Sequence, residues 1–534
     1  MATKERALLL KRISKSLWLL FFLVGTGIAQ DIFIIGSTEA YFRWFIKDSL
    51  RGAYGIPQYE YLLNAGETWT DLNIMYGNWS GYVRFTGMYN SNLPDPADAT
   101  TLFGINYWNV KYSLDYLSVE AGNVYKQFGL GTLFRTWEER ALAIDNSLLG
   151  LGISAMPING LDVYAAGGAY KSLRNIYKDF VKVLSISKNF SIKNAFVDIG
   201  VGALNRTLDR QTMDRIVQEI NSYPVENRFI PTHNMYAAGG WMTLSVTPVT
   251  IYVEGAYKWK DIYREALNKP LISTNGYVVY GEVQFTSSKV WASAKFREIY
   301  RFALRINPYT TGYEGILNYL PAFSKMIGYQ LAAYYMPVAQ ENGERAYQVD
   351  IGGALSTATG VEVSASWIDA IDNKPLFRMI YLEVFSQLKN KGKLTGAFQY
   401  VQYNIETYFN KPGQPMVHAY VPIIEYVHRF NKEASLKTQL QLMYTEQDHG
   451  SWVLPYLEFV PQHRFSLFVQ DMWNFKPLYG KGLHYVSAGI NWRTDQVLFS
   501  IQYRQTREGI NCSGGICRYE PAFNGVLSSL LISF

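Results

Sequence analysis

The last residues of the chain, Ala522–Phe534, read AFNGVLSSLLISF. From Asn524 the even positions carry Asn, Val, Ser, Leu, Ile and Phe, and the odd positions carry Phe, Gly, Leu, Ser, Leu and Ser. Towards its end the even face is apolar, while Ser529 and Ser533 sit on the other face. A period of two means a strand between two different environments. An apolar strand left as an open edge invites aggregation, so this one must be paired. Closing a barrel, last strand against first, is one way to do it.

The other end of the chain sets the compartment. Lys4, Arg6, Lys11, Arg12 and Lys15 precede the apolar run LWLLFFLV at Leu17–Val24, and GTGIAQ follows, with Gly27 and Ala29 at the −3 and −1 positions of a cut before Gln30. This is the pattern of a secretory signal peptide over residues 1–29. The run is shorter than the roughly 20 residues a membrane-spanning helix needs, and no later run reaches that length. The mature chain, 30–534, is expected to be exported as one domain, since no linker or low-complexity tract interrupts it.

Composition narrows the class. Aromatic residues make up 16% of the chain, with 41 Tyr and 13 Trp, while charged residues are only 18%, below the usual quarter or so. The net charge of +6 includes the basic leader, so nucleic acid is not an expected partner. An exported, Tyr- and Trp-rich, weakly charged chain fits an outer-membrane β-barrel with aromatic girdles better than a set of secreted β-sandwiches.

Interior segments repeat the two-faced pattern. In 434–445, Ala434, Leu436, Thr438, Leu440, Leu442 and Tyr444 oppose Ser435, Lys437, Gln439, Gln441, Met443 and Thr445. In 249–260, Val249, Ile251, Val253, Gly255, Tyr257 and Trp259 oppose Thr250, Tyr252, Glu254, Ala256, Lys258 and Lys260, and in 497–504 Val497, Phe499, Ile501 and Tyr503 oppose Leu498, Ser500, Gln502 and Arg504. The apolar faces end in Tyr or Trp, as at a membrane interface, and the charged faces suit a wet lumen. Short connections recur at 76–79, 114–116, 157–160, 188–194, 247–248, 286–289, 356–360, 389–393, 430–433, 460–462 and 493–496, and longer polar segments alternate with them. These are eleven hairpins, read as short periplasmic turns between longer external loops. With an opening strand near 33–46 and a closing strand at 523–534 they predict an antiparallel barrel of about 24 strands. Only 303–344 is ambiguous: it either adds a strand pair or folds into the lumen.

The terminal strand also resembles the assembly signal of outer-membrane proteins in general. Gly525 followed by Leu530, Ile532 and the terminal Phe534 matches that loose pattern, which implies recognition by the barrel-assembly machinery.

Chemistry-bearing residues are few. The loop 122–150 clusters Arg135, Glu138, Glu139 and Arg140 beside Phe128, Phe134 and Trp137. It reads either as a constriction of a pore lined by opposed charges or as a loop packed into the lumen and held by its own ion pairs. GLG at 129–131 is no phosphate loop, because no Gly-Lys-Ser/Thr follows it. Leu208, Met213, Ile216, Val217 and Ile220 recur at helical spacing, which predicts a short amphipathic helix near 207–221. Cys512 and Cys517 flank a Ser-Gly-Gly-Ile turn, and in an exported chain they are expected to form a disulfide. The six histidines are scattered. No nucleophile elbow, zinc-protease helix or paired Asp/His spacing appears, so neither a catalytic site, a metal nor a cofactor is expected.

VEAGNVYKQFGLGTLFRTWEERALAIDNSLLGLGI at 119–153, NYLPA at 318–322 and the tail from CSGGICRYEPAF at 512–523 to LISF resemble an uncharacterised family of large bacterial outer-membrane β-barrels. The resemblance implies the barrel and no activity. The functional expectation is a passive or weakly selective channel in the bacterial outer membrane. The alternative is a non-enzymatic scaffold subunit of a secretion or barrel-assembly complex, with outer-membrane proteins or lipoproteins as partners and membrane lipid around it.

Overall fold

The computed structural model describes residues 32–534 apart from 174, 267, 311, 313, 390, 514 and 515, with the side chains of 510–518 also outside the description. The proposed signal peptide, 1–29, lies outside the described residues. The chain forms one 24-stranded antiparallel sheet. Each barrel strand pairs with its neighbour in chain order, and the last, Phe523–Ser533, closes on the first, Ile32–Phe45, in a register running from Ser37 opposite Ser533 to Phe45 opposite Gly525. Closure leaves no open edge, so every crossing strand has its backbone partners without water. Most of the predicted short turns fall where the strands reverse, as between Tyr76 and Trp79, Val246 and Val249, and Arg493 and Val497, but the connection read at 460–462 lies inside strand Gly450–Gln462, which reverses at 463–464, and 188–192 of the one read at 188–194 belongs to strand Ile176–Ile192. Ile32, the first described residue, and Phe534 lie at this short-turn end, and the long connections leave from the other. Residues 301–342, between strands Val290–Tyr300 and Gly343–Ala354, contribute no barrel strand; they fold into the lumen.

Outward side chains form an aliphatic band flanked by rings. At the long-loop end Trp44, Tyr236, Trp259, Tyr347, Trp367 and Tyr503 are exposed, and at the short-turn end Tyr76, Trp79, Phe285, Phe465 and Phe534 are. Such amphipathic rings suit the two membrane interfaces, where an apolar body and a polar tip are both accommodated. The terminal residue has a specific seat. The Phe534 amide donates to the Gly36 carbonyl at 2.9 Å and its carbonyl accepts from the Gly36 amide at 2.8 Å. Gly36 carries no side chain, and the Phe534 ring fills the space; a Cβ there would meet Phe534 Cε2 at 2.3 Å.

The inner face departs from the uniformly wet lumen that the alternation predicts. Towards the short turns it is polar, with Glu282, Gln284, Lys295, Asp350 and Glu362 around an open space. Towards the long loops it is largely apolar. Met443, Trp452, Tyr403 and Val421 point inward and are buried against Phe323, Leu331 and Tyr335 of the 301–342 segment. The physical reason is that long connections return into the barrel and need apolar surface to pack on.

The predicted helix is present at Arg210–Asn221 in a long-loop connection, with Asp209 accepting from the amides of Gln211 and Thr212 as its N-cap. Met213, Ile216 and Ile220 pack on Leu208, Ile262 and Leu271. Val217, counted with that face by spacing, is exposed.

Candidate functional site: two lumen inserts and the space between them

The first insert, residues 125–146, joins strands Leu117–Val124 and Ser147–Ile158. Phe128, Leu133 and Phe134 pack on the wall at Tyr164, Val183 and Leu204. The turn Gly129–Thr132 wraps a wall carboxylate, Glu254, which is 4% exposed. Glu254 accepts from the Leu130 amide at 2.6 Å, the Thr132 amide at 3.1 Å, the Thr132 hydroxyl at 2.5 Å and the Tyr252 hydroxyl. Gly129 sits at φ +52°, and a Cβ there would meet Glu254 Oε2 at 2.6 Å; only glycine allows both the left-handed turn and the close approach. The GLG sequence is thus an anion-holding turn after all, for a carboxylate of its own chain.

The charged stretch of the insert divides. Arg140 donates to Glu39 at 2.9 Å and to Asp71 at 2.7 Å, and Arg84 bonds Asp71 at 2.5 Å and also pairs with Glu138. Glu39, Asp71 and Arg84 belong to the inner faces of strands Ile32–Phe45, Asn64–Tyr76 and Trp79–Ser91. Glu138 and Arg140 therefore latch the insert to the wall beside the closing seam. Arg135 takes no part. Its guanidinium lies over the rings of Tyr319, 4.1 Å away, and Trp137, 5.4 Å away, where cation–π attraction ties the two inserts together. Glu139 makes no ion pair among the described residues. Of the four residues proposed to line a constriction, two are brought together with wall charges and two are not.

The second insert, residues 301–342, is zipped to the first. The Arg135 amide donates to Leu317 at 2.9 Å, the Tyr319 amide to Gly131 at 2.8 Å, and the Asn318 side chain to the Thr132 carbonyl at 3.0 Å. Its anchor on the wall is a buried ion pair between Arg297 and Glu344, whose side chains are both 0% exposed. Arg297 also donates to the Pro321 carbonyl and lies 4.5 Å from the Phe323 ring. Further along, the Leu331 amide donates to Gln441 at 2.8 Å, and the Tyr335 hydroxyl to Asp448 at 3.1 Å.

The inserts leave two spaces. A cavity of about 530 Å³ lies between them and the seam strands, lined by Arg43, Glu67, Arg140, Met326, Arg504 and Arg507 among others, and it reaches the long loops at Glu508 and Glu520. A vestibule of about 560 Å³ occupies the short-turn half, walled by Glu282, Lys295, Asp350 and Glu362. Met326, 62% exposed, lines both.

Sequence reasoning did not find Glu254, Arg297, Glu344, Arg504 or Arg507 as site residues. Each stands on the polar face of an alternating strand or at its end, where its charge reads as lumen wall. No local signal marks which of these an insert will meet. The assembly-signal residues Gly525, Leu530, Ile532 and Phe534 all lie on the closing strand or at its end. Cys512 and Cys517 occupy opposed backbone positions in a small two-stranded ribbon, Gly509–Ser513 with Ile516–Glu520, but their side chains lie outside the described residues. Among the described residues no group of three or more His, Cys, Asp or Glu could hold a metal.

A family model described as a family of unknown function (DUF6029) matches residues 10–534, so the chain belongs to that family. No curated protein matches it. Among solved structures it is similar to the siderophore receptor PirA from Pseudomonas aeruginosa, at 10% identity over 94% of this chain and 80% of that one with a TM-score of 0.43. It is also similar to the ferric-catecholate import receptor Fiu from E. coli K12, at 8% identity over 94% and 81% with a TM-score of 0.40. The P pilus usher (PapC) translocation pore matches at 9% identity over 94% and 99% with a TM-score of 0.38. These are likenesses to large barrels and bear on no activity.

Proposed function

We propose that this member of the DUF6029 family is an outer-membrane channel for small polar solutes, exported by its N-terminal leader, whose passage is the narrow charged route left between its two lumen inserts. One observation carries the reading: a seam cavity at the long-loop end and a vestibule at the short-turn end are both lined by Met326, so a single side chain borders the two spaces a passage would join. A barrel sealed for good is more simply filled with apolar side chains, because burying charges costs solvation that pairing only partly returns. The seam latch instead keeps water. The side chains of Arg43, Arg140 and Glu39 are 18%, 26% and 24% exposed. Two inserts across a barrel of this width support slow, selective passage rather than bulk diffusion. Fixed charge lining a constriction governs selectivity.

The test is conductance of the purified protein in planar bilayers. Wild type should show a small conductance. Arg140→Gln should move the reversal potential in a salt gradient towards cations, and Glu138→Gln with Glu139→Gln should move it towards anions, through Glu138. A silent wild type, with no conductance after deletion of residues 128–147, would leave a scaffold subunit that docks outer-membrane proteins or lipoproteins on its loops.

A further inference from the structure

The charges around the seam cavity are unequally satisfied. Arg43 pairs with Glu67 and donates to Asn92 at 2.9 Å, and Arg140 is held by Glu39 and Asp71. Arg504 and Arg507 differ from both. They line the same cavity, yet among the described residues neither guanidinium has an ion-pair or hydrogen-bond partner. Arg504 is exposed to the lumen on the inner face of strand Val497–Thr506. Glu520 and Glu508 also belong to the lining. Arg507 is fixed by stacking rather than by a carboxylate: its guanidinium lies 4.0 Å from the Tyr334 ring and 5.9 Å from that of Trp452. A stacked arginine is pre-oriented and keeps its planar fork of donors open. The same cavity is lined by apolar and aromatic groups, Phe45, Trp69, Met336 and Phe523.

We infer that the long-loop half of the passage holds a binding subsite for a small organic carboxylate, its oxyanion gripped by Arg504 and Arg507 and its apolar body lying on the rings of the same lining. Two open guanidinium forks match a carboxylate, which arginine binds bidentately and more strongly than a neutral acceptor. The cavity, about 530 Å³, falls within the range of small-ligand pockets, roughly 300–1,000 Å³, and combines apolar lining with a few convergent polar groups as such pockets do. The ligand class rests on this cavity being the route proposed above, and it makes the channel one that prefers organic anions over sugars or cations of similar size.

The experiment is calorimetric titration of the full-length protein in detergent with sodium benzoate, and with neutral benzyl alcohol as the uncharged match. Benzoate should bind wild type at least about tenfold more tightly than benzyl alcohol does. Arg504→Gln combined with Arg507→Gln should abolish that preference while heat-modifiable migration stays that of a folded barrel. Arg507→Lys alone, which keeps the charge and loses the fork, should weaken benzoate binding and serves if the double variant does not fold. Equal affinity for the two probes, or equal benzoate affinity in wild type and variants, overturns the subsite. A protein that conducts but shows no benzoate preference loses the subsite and keeps the channel. One that binds benzoate through these arginines without conducting keeps the subsite and loses the channel.

Discussion

Glu254 organises the start of the first insert from a strand more than a hundred residues away in sequence. Its carboxylate satisfies two amides and a hydroxyl of the Gly129–Thr132 turn. Hydrogen bonds to an ionised acceptor each contribute about 1.5–3 kcal/mol, and buried donors left unmet cost a comparable amount. Glu254→Gln turns an amide donor on those donors and should destabilise the protein by about 3 kcal/mol, read as a lower guanidinium midpoint in detergent. Gly129→Ala should reach a similar loss by a different route, a Cβ placed against the same carboxylate at a left-handed position. Equal midpoints for wild type and both variants would show that apolar packing alone holds the turn. Neither residue announces its role in the sequence. GLG was legible only as no phosphate loop, and the anion it holds is supplied by the fold.

Among the elements, the helix Arg210–Asn221 carries a pH dependence. Burial raises the Glu219 carboxyl, but hydrogen bonds from Tyr223 and Arg264, with Tyr309 behind them, outweigh it and hold Glu219 below the usual carboxylate range. Arg264 donates to both oxygens, at 2.6 and 2.7 Å. A carboxyl lowered in the folded state adds stability that is complete above its unfolded pKa of about 4.3 and is lost as pH falls through the lower folded value. Asp209, whose N-cap bonds likewise outweigh burial and lower it, acts with the same sign. Acid should therefore loosen the helix from the strand ends. Hydrogen exchange at 210–221, corrected for intrinsic rates, should quicken below about pH 4, and Glu219→Gln should be fast already at neutral pH. No acid step in wild type would mean that the apolar face alone docks the helix. This element was readable in advance from its spacing. Its partners were not, because Arg264 ends the strand Val249–Arg264 and Tyr309 belongs to the second insert.

For the whole molecule the decisive event is closure at the seam. Phe534 pairs its backbone with Gly36 and lays its ring over the gap that Gly36 leaves. Deleting Phe534 should reduce the folded barrel recovered from the outer membrane several-fold, while barrel already inserted keeps nearly the same unfolding midpoint, since one residue pair is a small part of a 24-strand circuit. Gly36→Ala displaces the ring without removing it and should give a milder loss. Heat-modifiable migration of extracted protein reports both. Equal recovery from wild type and the deletion would remove the terminal aromatic from assembly.

The alternation of lipid and lumen faces and a strand number of about 24 were legible in the sequence alone, whereas the strand ends at Gln462 and Ile192 and the place of 303–344 were not. The reason is local: a pleated strand exposes successive side chains to opposite sides, and turns interrupt that period where the chain reverses. The tertiary structure alone decided what fills the lumen. Met443 and Trp452 share a parity with the polar inner residues of their strands, yet they are buried under the second insert. Arg140 and Arg504 are the same residue type facing the same cavity, but one is held by two carboxylates and the other is open. Period two says only that a side chain points inward. Whether it meets water, a ring or an opposite charge depends on segments returning from far along the chain, as when Leu331 reaches Gln441, and a strand's own pattern carries no record of that meeting.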